Sequence, residues 1–311
     1  MVITLKVMIM RKVLLFSIWI AATAFFTACE AIDPLSSEQY RKEIYIIGSY
    51  KDVLQSDLPY GENEETFVSI AVSGSQRIDR DVTVTLRHND EIIRRYNDKY
   101  MLDAPVKYQQ LDPARIRIPS WSATIKAGEI YAHLPFTVNS SGLHCDSLYA
   151  ISFEIESVSE YMKSENDTSL ILTLKLTNDY SGSYQLEASK SSLTENDNGE
   201  WVEVGLPVPV SIQRSLTAIS ESEVRFFHEK QKETYNDYVH SWDPGGDYFR
   251  AIDNYCIVFE RIGESNNFTV KPWGSMTILD GEATFDKGSF SFWYDYEMGA
   301  IRYRMKGVFR K

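Results

Sequence analysis

The stretch YNDYVHSWDPGGDYFRAIDNY, residues 235–255, gathers the side chains of this chain best suited to chemistry. Tyr235, Tyr238, Trp242 and Tyr248 are interleaved with Asp237, Asp243 and Asp247 around an Asp243-Pro244-Gly245-Gly246 turn signal. Sugars present apolar C–H faces and hydroxyl edges, so a site that holds them needs aromatic platforms beside carboxylates or amides. Trp273, just after Pro272, adds another ring near a turn, and Trp121, after Ser120, is placed in the same way. The structural alternative is a long loop that packs its own rings against neighbouring strands. A third reading is a calcium site built from Asp243, Asp247 and Asp253, because oxygen ligands suit that ion, although the spacing is not that of an EF-hand.

Catalytic signatures are missing. There is no GxSxG, HExxH, P-loop or dinucleotide fingerprint. His88, His133, His144, His228 and His240 are scattered without nucleophile-like neighbours. Paired carboxylates can hydrolyse glycosides, but an acidic chain supplies many pairs and sequence does not give their separation. Glycoside hydrolysis is therefore the third-ranked reading, the chain reads as a non-enzyme, and no cofactor is implied. With 44 Asp and Glu against 32 Lys and Arg, the formal charge is −12. Nucleic-acid affinity comes largely from basic side chains displacing counterions, so nucleic acid is not an expected partner.

The cysteines bear on location. Met10-Arg11-Lys12 precedes an apolar run over residues 13–26 that ends at Phe26-Thr27-Ala28-Cys29. That run of about 14 residues falls short of the roughly 20 a transmembrane helix needs, and its basic flank marks a secretory signal, with Met1 or Met10 as the start. The small residues before Cys29 resemble a bacterial lipobox, which makes Cys29 the expected acylated N-terminus of the mature protein. The expectation is anchoring to the outer membrane by lipid alone, with Glu30, Asp33 and Glu38 resembling a weak surface-export signal. Cys145 and Cys256 are read as two separate unpaired thiols, and no CxxC or Cys/His cluster signals a metal. Asp146-Ser147-Leu148 matches a short O-glycosylation acceptor, a pattern common by chance.

The elements that must position these residues are strands. Short alternating segments recur from Ile44 to Leu176, clearest in Val82-Thr83-Val84-Thr85-Leu86, and imply a β-sandwich. One segment, NDEIIRRYNDKY at residues 89–100, has a cap and apolar residues at helical spacing, and a short helix here is expected to cross between the two sheets. After the turn-rich Asn178-Asp179-Tyr180-Ser181-Gly182 the pattern is again β. Phe290, Phe292, Tyr294 and Tyr296 share one face of the clearest hairpin, and the returning strand alternates Ile301, Tyr303 and Met305 with Arg302, Arg304 and Lys306. Eight to ten strands closed as an antiparallel barrel would remove the edges.

These segments also resemble a known family. DVTVTLRHNDEIIRRYNDKY and IRIPSWSATIKAGEIYAHLPFTVNSSGL are similar to the N-terminal domain of a Bacteroidetes surface lipoprotein family of unassigned function, and NDYSGSYQLE resembles the entry to its lipocalin-like partner domain. The resemblance implies an all-β fold: a signal peptide over residues 1–28, a tether over 29–42, an Ig-like β-sandwich with one short helix over 43–178 and a lipocalin-like barrel over 179–311. It also implies a non-catalytic role in binding or capturing glycan beside outer-membrane sugar-import proteins. A structural or protein-interaction lipoprotein is the alternative. The resemblance carries over no ligand residues.

Overall fold

A computed structural model describes residues 37–228 and 246–311. It is all-β. In chain order, the first part holds β1 (Glu43–Ile46), β2 (Val53–Pro59), β3 (Glu64–Val72), β4 (Val82–Arg87), helix α1 (Asp90–Tyr100), β5 (Tyr108–Gln110), β6 (Ile116–Arg117), β7 (Ser122–Ile125), β8 (Tyr131–Val138), β9 (Leu148–Val158), β10 (Met162–Lys163) and β11 (Ser169–Thr177). These strands form two sheets, ordered β10-β1-β3-β8-β6 and β2-β11-β9-β4-β7, with β5 added beside β9. Alternate apolar residues such as Val82, Val84 and Leu86, or Leu134, Phe136 and Val138, meet between the sheets as one buried cluster.

Helix α1 does not cross between the sheets as its sequence pattern suggested. It lies on the outer face of the second sheet, where Ile93, with Ile92 and Tyr96, packs on Ala150 and Ile171. The strands beneath show why. β9 and β11 are covered on both faces, so they read AISF and LILTL as near-continuous apolar runs rather than as alternation. Asn89 caps the helix by accepting the Glu91 N–H at 3.2 Å. At the other end, the Asn97 amide donates to Tyr108 O at 2.7 Å and accepts from Tyr108 N at 3.2 Å, tying the last turn to β5.

The second part is a closed barrel of β12 (Gly182–Glu195), β13 (Trp201–Ala218), β14 (Glu223–Phe227), β15 (Cys256–Arg261), β16 (Asn267–Pro272), β17 (Thr277–Asp286), β18 (Ser289–Met298) and β19 (Ile301–Arg310). The anticipated eight to ten strands are eight, because two pairs of segments are single strands. Residues 201–212 lie within one strand interrupted opposite Lys190 to Ser192, and residues 277–285 lie within one interrupted between Ile278 and Asp280. A bulge breaks the alternation that sequence reading uses to find a strand.

The inward residues of the last hairpin are Phe290, Phe292, Tyr294 and Tyr296, all buried, facing Met305 and Phe309. Around Phe259, ring centroids of Phe226, Phe290, Phe292 and Phe309 stand 4.8, 5.2, 5.7 and 6.1 Å away. Tyr180 meets Phe268 and Phe285 edge-on, each at 5.0 Å. This end of the barrel is therefore packed with rings in the geometries aromatic quadrupoles favour. Such packing requires glycine where the wall comes close. A Cβ on Gly307 would stand 2.4 Å from Glu187 O and 2.5 Å from Ala188 Cβ. Gly307→Val is expected to lower the unfolding free energy by about 2 kcal/mol, the scale of overpacking in a dense core, as read by urea denaturation. Unchanged stability would show that the β12–β19 seam can widen freely.

Candidate functional site

The two parts meet along the segment His144 to Leu148 of the sandwich and the outer face of β14. In β14, Val224 and Phe226 point into the barrel, which turns Arg225 outward and against the sandwich. Arg225 is only 4% exposed, and its guanidinium donates to both oxygens of Asp146 at 2.6 and 2.5 Å. The Trp273 ring covers the guanidinium with its centroid 4.6 Å from Cζ, and His144 meets the same ring at 6.1 Å. Burial alone would lower the Arg225 pKa, but the Asp146 hydrogen bonds outweigh it and hold it above its ordinary value. Tyr60, inside the sandwich, donates to Leu143 O at 2.9 Å and steadies the segment from below.

The junction is fastened at a second point. The Asn178 amide donates to Ser220 O and Glu223 O, both at 2.8 Å, while its oxygen accepts from Tyr180 N at 3.1 Å. Ala218, at the end of β13, is buried in the sandwich cluster.

Helix α2 (Gly246–Tyr255) completes the junction. Residues 246–255 were expected to be loop, yet Ala251 and Ile252 at adjacent helical positions bury against Phe227 and Cys256, with Tyr248, Tyr255 and Trp273 around them. The helix puts Tyr248 and Phe249 at the edge of a groove of about 470 Å³ between the two parts. Its other wall is the end of α1 and the following loop, with Tyr100, Met101 and Pro105, and its floor holds Cys145, Asp146 and Arg225. Tyr100 and Phe249 are 55% and 39% exposed, and the Lys99 ammonium stands over the Tyr100 ring, 4.6 Å from its centroid. Burial pushes the Cys145 thiol and the Tyr248 phenol each up to about 12, so both stay protonated at neutral pH. A second interdomain cavity, about 530 Å³, lies across the same segment and is lined mainly by hydroxyls and strand ends, including Thr177, Ser183 and Ser215.

Of the residues singled out from sequence, Tyr248 lines the groove and Trp273 stands behind it, stacked on Arg225. Asp247 opens α2. Tyr235, Tyr238, Trp242 and Asp243 lie outside the described residues, as does Cys29, so the aromatic cluster and the calcium alternative are described only in part. Trp121 belongs to a separate groove in the sandwich. Asp146, noticed only as the first residue of a glycosylation-like tripeptide, is committed to Arg225.

Neither Cys145 nor Cys256 is in a disulfide. Contrary to the sequence reading, a Cys/His group does form: ligand atoms of His144, Cys145 and Asp146 lie within 4.8 Å of one another. In this trio the carboxylate is already engaged, since both Asp146 oxygens accept from the Arg225 guanidinium. Arg225 was missed because an arginine in a strand reads as solvent-facing. Its signal was the lone charge in the run Val224-Arg225-Phe226-Phe227.

The fold and junction define a class, a β-sandwich joined to an antiparallel barrel with an aromatic groove at the seam. Two family models match the chain, one described as an N-terminal domain over residues 40–162 and the other as its C-terminal counterpart over residues 168–310. The chain belongs to this two-domain family, a Bacteroidetes family of unassigned function. No curated protein is significantly similar in sequence. Among solved structures, a Bacteroides ovatus protein of unknown function is 16% identical, with TM-score 0.56 over 86% of this chain and 93% of that one. Another from the same species is 11% identical, with TM-score 0.60 over 86% and 94%. A protein described as an auxiliary nutrient binding protein from Bacteroides thetaiotaomicron is 18% identical, with TM-score 0.52 over 84% and 91%. At these identities the likeness is one of fold.

Removing one partner of a buried pair leaves an uncompensated charge. Asp146→Ala is expected to cost about 3–5 kcal/mol in denaturant unfolding, and Asp146→Leu with Arg225→Met together to cost much less than the two single changes summed. Additive losses would show that the two side chains do not act on each other.

Proposed function

We propose that this chain is a lipid-anchored surface protein that binds glycan, or assists its capture, without catalysing its cleavage. The observation that carries the reading is the seam groove: Tyr100, Tyr248 and Phe249 around a fixed carboxylate–guanidinium floor. Rings there can cover the C–H face of a pyranose while the floor and backbone groups meet its hydroxyls. A rigid groove also avoids the ordering cost that flexible sites incur on binding.

The absence of catalysis is supported by the state of the groups at the floor. Both Asp146 oxygens are taken by Arg225, and the thiol and phenol hold their protons far above neutral pH. Efficient general acid–base work favours a pKa near the working pH. The nutrient-binding description of one structural neighbour agrees with a binding role. The lipobox at Cys29 supports placement at the outer membrane, where sugar-import proteins would be the natural partners. A protein-docking role is the second reading, favoured by exposed Val204, Leu206 and Val208 on β13, with Leu206 92% exposed.

In affinity electrophoresis through gels containing a panel of polysaccharides, the chain from Glu30 onward is expected to be retarded by at least one. Tyr248→Ala and Phe249→Ala should each weaken that retention about ten-fold, equivalent to about 1.4 kcal/mol. Free migration of the unaltered chain in every gel, with a stable partner recovered from solubilised outer membrane, would favour the docking role instead. For the anchor, Cys29→Ala is expected to abolish metabolic labelling with a fatty acid and shift the protein out of the membrane fraction. Persistent labelling would place the lipid elsewhere.

A further inference from the structure

The described chain begins at the end of the sandwich farthest from the seam. β9 runs from Leu148, beside the groove, to Val158, and its 11 residues at about 3.3 Å each put about 33 Å between the two ends. At the far end the entering segment is pinned. Glu38 accepts from Ser75 N at 2.6 Å and from Ser75 Oγ at 2.8 Å, and it pairs with Lys42. Ser73 Oγ donates to Arg41 O and accepts from Glu43 N, both at 3.0 Å. Residues 29–36 alone separate this pinned segment from Cys29, and fully extended they reach at most about 28 Å.

The same end exposes apolar side chains. Tyr40, Ile130 and Met162 are 71%, 54% and 56% exposed, and Tyr131 is half-exposed. Strand pairing sets them in one row: Met162 stands opposite Glu43, Ser73 N donates to Glu43 O at 2.9 Å, and Val72 N donates to Ile130 O at 3.0 Å. With strands about 4.8 Å apart, Met162 and Ile130 are separated by about 14 Å, and Tyr40 lies on the segment that enters between them. Charge does not hold this end away from a surface. In a chain of formal charge −12, residues 38–43, 77–81, 126–131 and 160–163 carry as many basic as acidic side chains. Lys126 pairs with Asp81, and Arg80 with Asp79 and Glu160.

We infer that this end of the sandwich, led by Tyr40, Ile130 and Met162, rests on a phospholipid surface and stands the protein upright on it. The inference rests on the acylation proposed at Cys29, which brings the lipid within reach, and uses none of the seam residues. Tyrosine favours the boundary between headgroups and acyl chains, and exposed aliphatic side chains gain by entering it. Such a contact is weak by itself, but a short tether makes it intramolecular and so raises its effective concentration. The seam groove is then held about a sandwich length from the bilayer, facing outward.

The test uses the full chain expressed in a bacterial host with a labelled fatty acid, purified in detergent and reconstituted into phosphatidylcholine vesicles. Loss of the label on Cys29→Ala reads the anchor. Amide hydrogen exchange, compared with the chain from Glu30 onward in solution, reads the surface. Exchange over residues 73–78 and 126–130 is expected to slow at least three-fold in vesicles, with residues 100–106 and 246–251 unchanged. Ile130→Asp with Met162→Asp should restore the solution rates. Both side chains are exposed, and circular dichroism matching the parent confirms that the variant is folded. A label lost on Cys29→Ala, with residues 73–78 and 126–130 exchanging in vesicles as in solution, would overturn the lipid-facing surface and leave the anchor standing. A chain that takes up no label would overturn both. Slowing that appears in the soluble chain as its concentration is raised, without vesicles, would assign the row to a second copy and overturn the lipid contact.

Discussion

A buried ion pair between side chains 79 residues apart determines how this protein is put together. A guanidinium stays charged at any pH the protein meets, so Arg225 must be given an anion before it can be covered. Asp146 supplies it from the other domain, and Trp273 closes over the pair. Desolvating two charges costs several kcal/mol each, so such a pair adds little net stability but penalises heavily any arrangement that separates its members. The result is specificity of orientation. The sandwich and barrel have one way of meeting in which neither charge is stranded, and Asn178 fixes the chain direction between them.

From that constraint the proposed place for ligands follows. The described core of the barrel is a stack of phenylalanine and tyrosine rings about Phe259, closed so tightly at Gly307 that a methyl group would strike the neighbouring strand. This end of the barrel, filled in this way, is a scaffold. Exposed rings occur where elements end: Tyr100 at the tail of α1, Tyr248 and Phe249 in the first turns of α2, and Trp121 ahead of β7. Each is carried by a backbone pinned from elsewhere, which is how a mostly rigid fold displays rings without burying them.

How legible this was in the sequence depends on the kind of order involved. The last hairpin could be read nearly throughout, because strict alternation of Phe290 to Tyr296 and Tyr303 to Met305 has one meaning in a closed sheet, although Ile301, beside the turn, is exposed rather than inward. Strand lengths were lost wherever a bulge reset the alternation, as beside Ser191 and Leu279. Helix α1 was visible from its Asn89 cap but not its position, since the double burial of β9 and β11 that makes room for it is a tertiary fact. Helix α2 was hidden by the aspartates, glycines and rings around it, which mimic a loop. For the site, composition pointed to Tyr248 and Trp273, while nothing in the sequence paired Arg225 with Asp146 or set Phe249 beside them. Pairing across two domains leaves no periodic trace, and a charged residue in a strand ordinarily faces water.

The central claim, that a glycan lies in the seam beside the Arg225–Asp146 pair, is tested most directly by mapping amide hydrogen exchange with and without a retained polysaccharide. The account predicts slowed exchange over residues 100–106 and 246–251, on both walls of the groove. Protection confined to other surfaces, with those two segments unchanged, would contradict it.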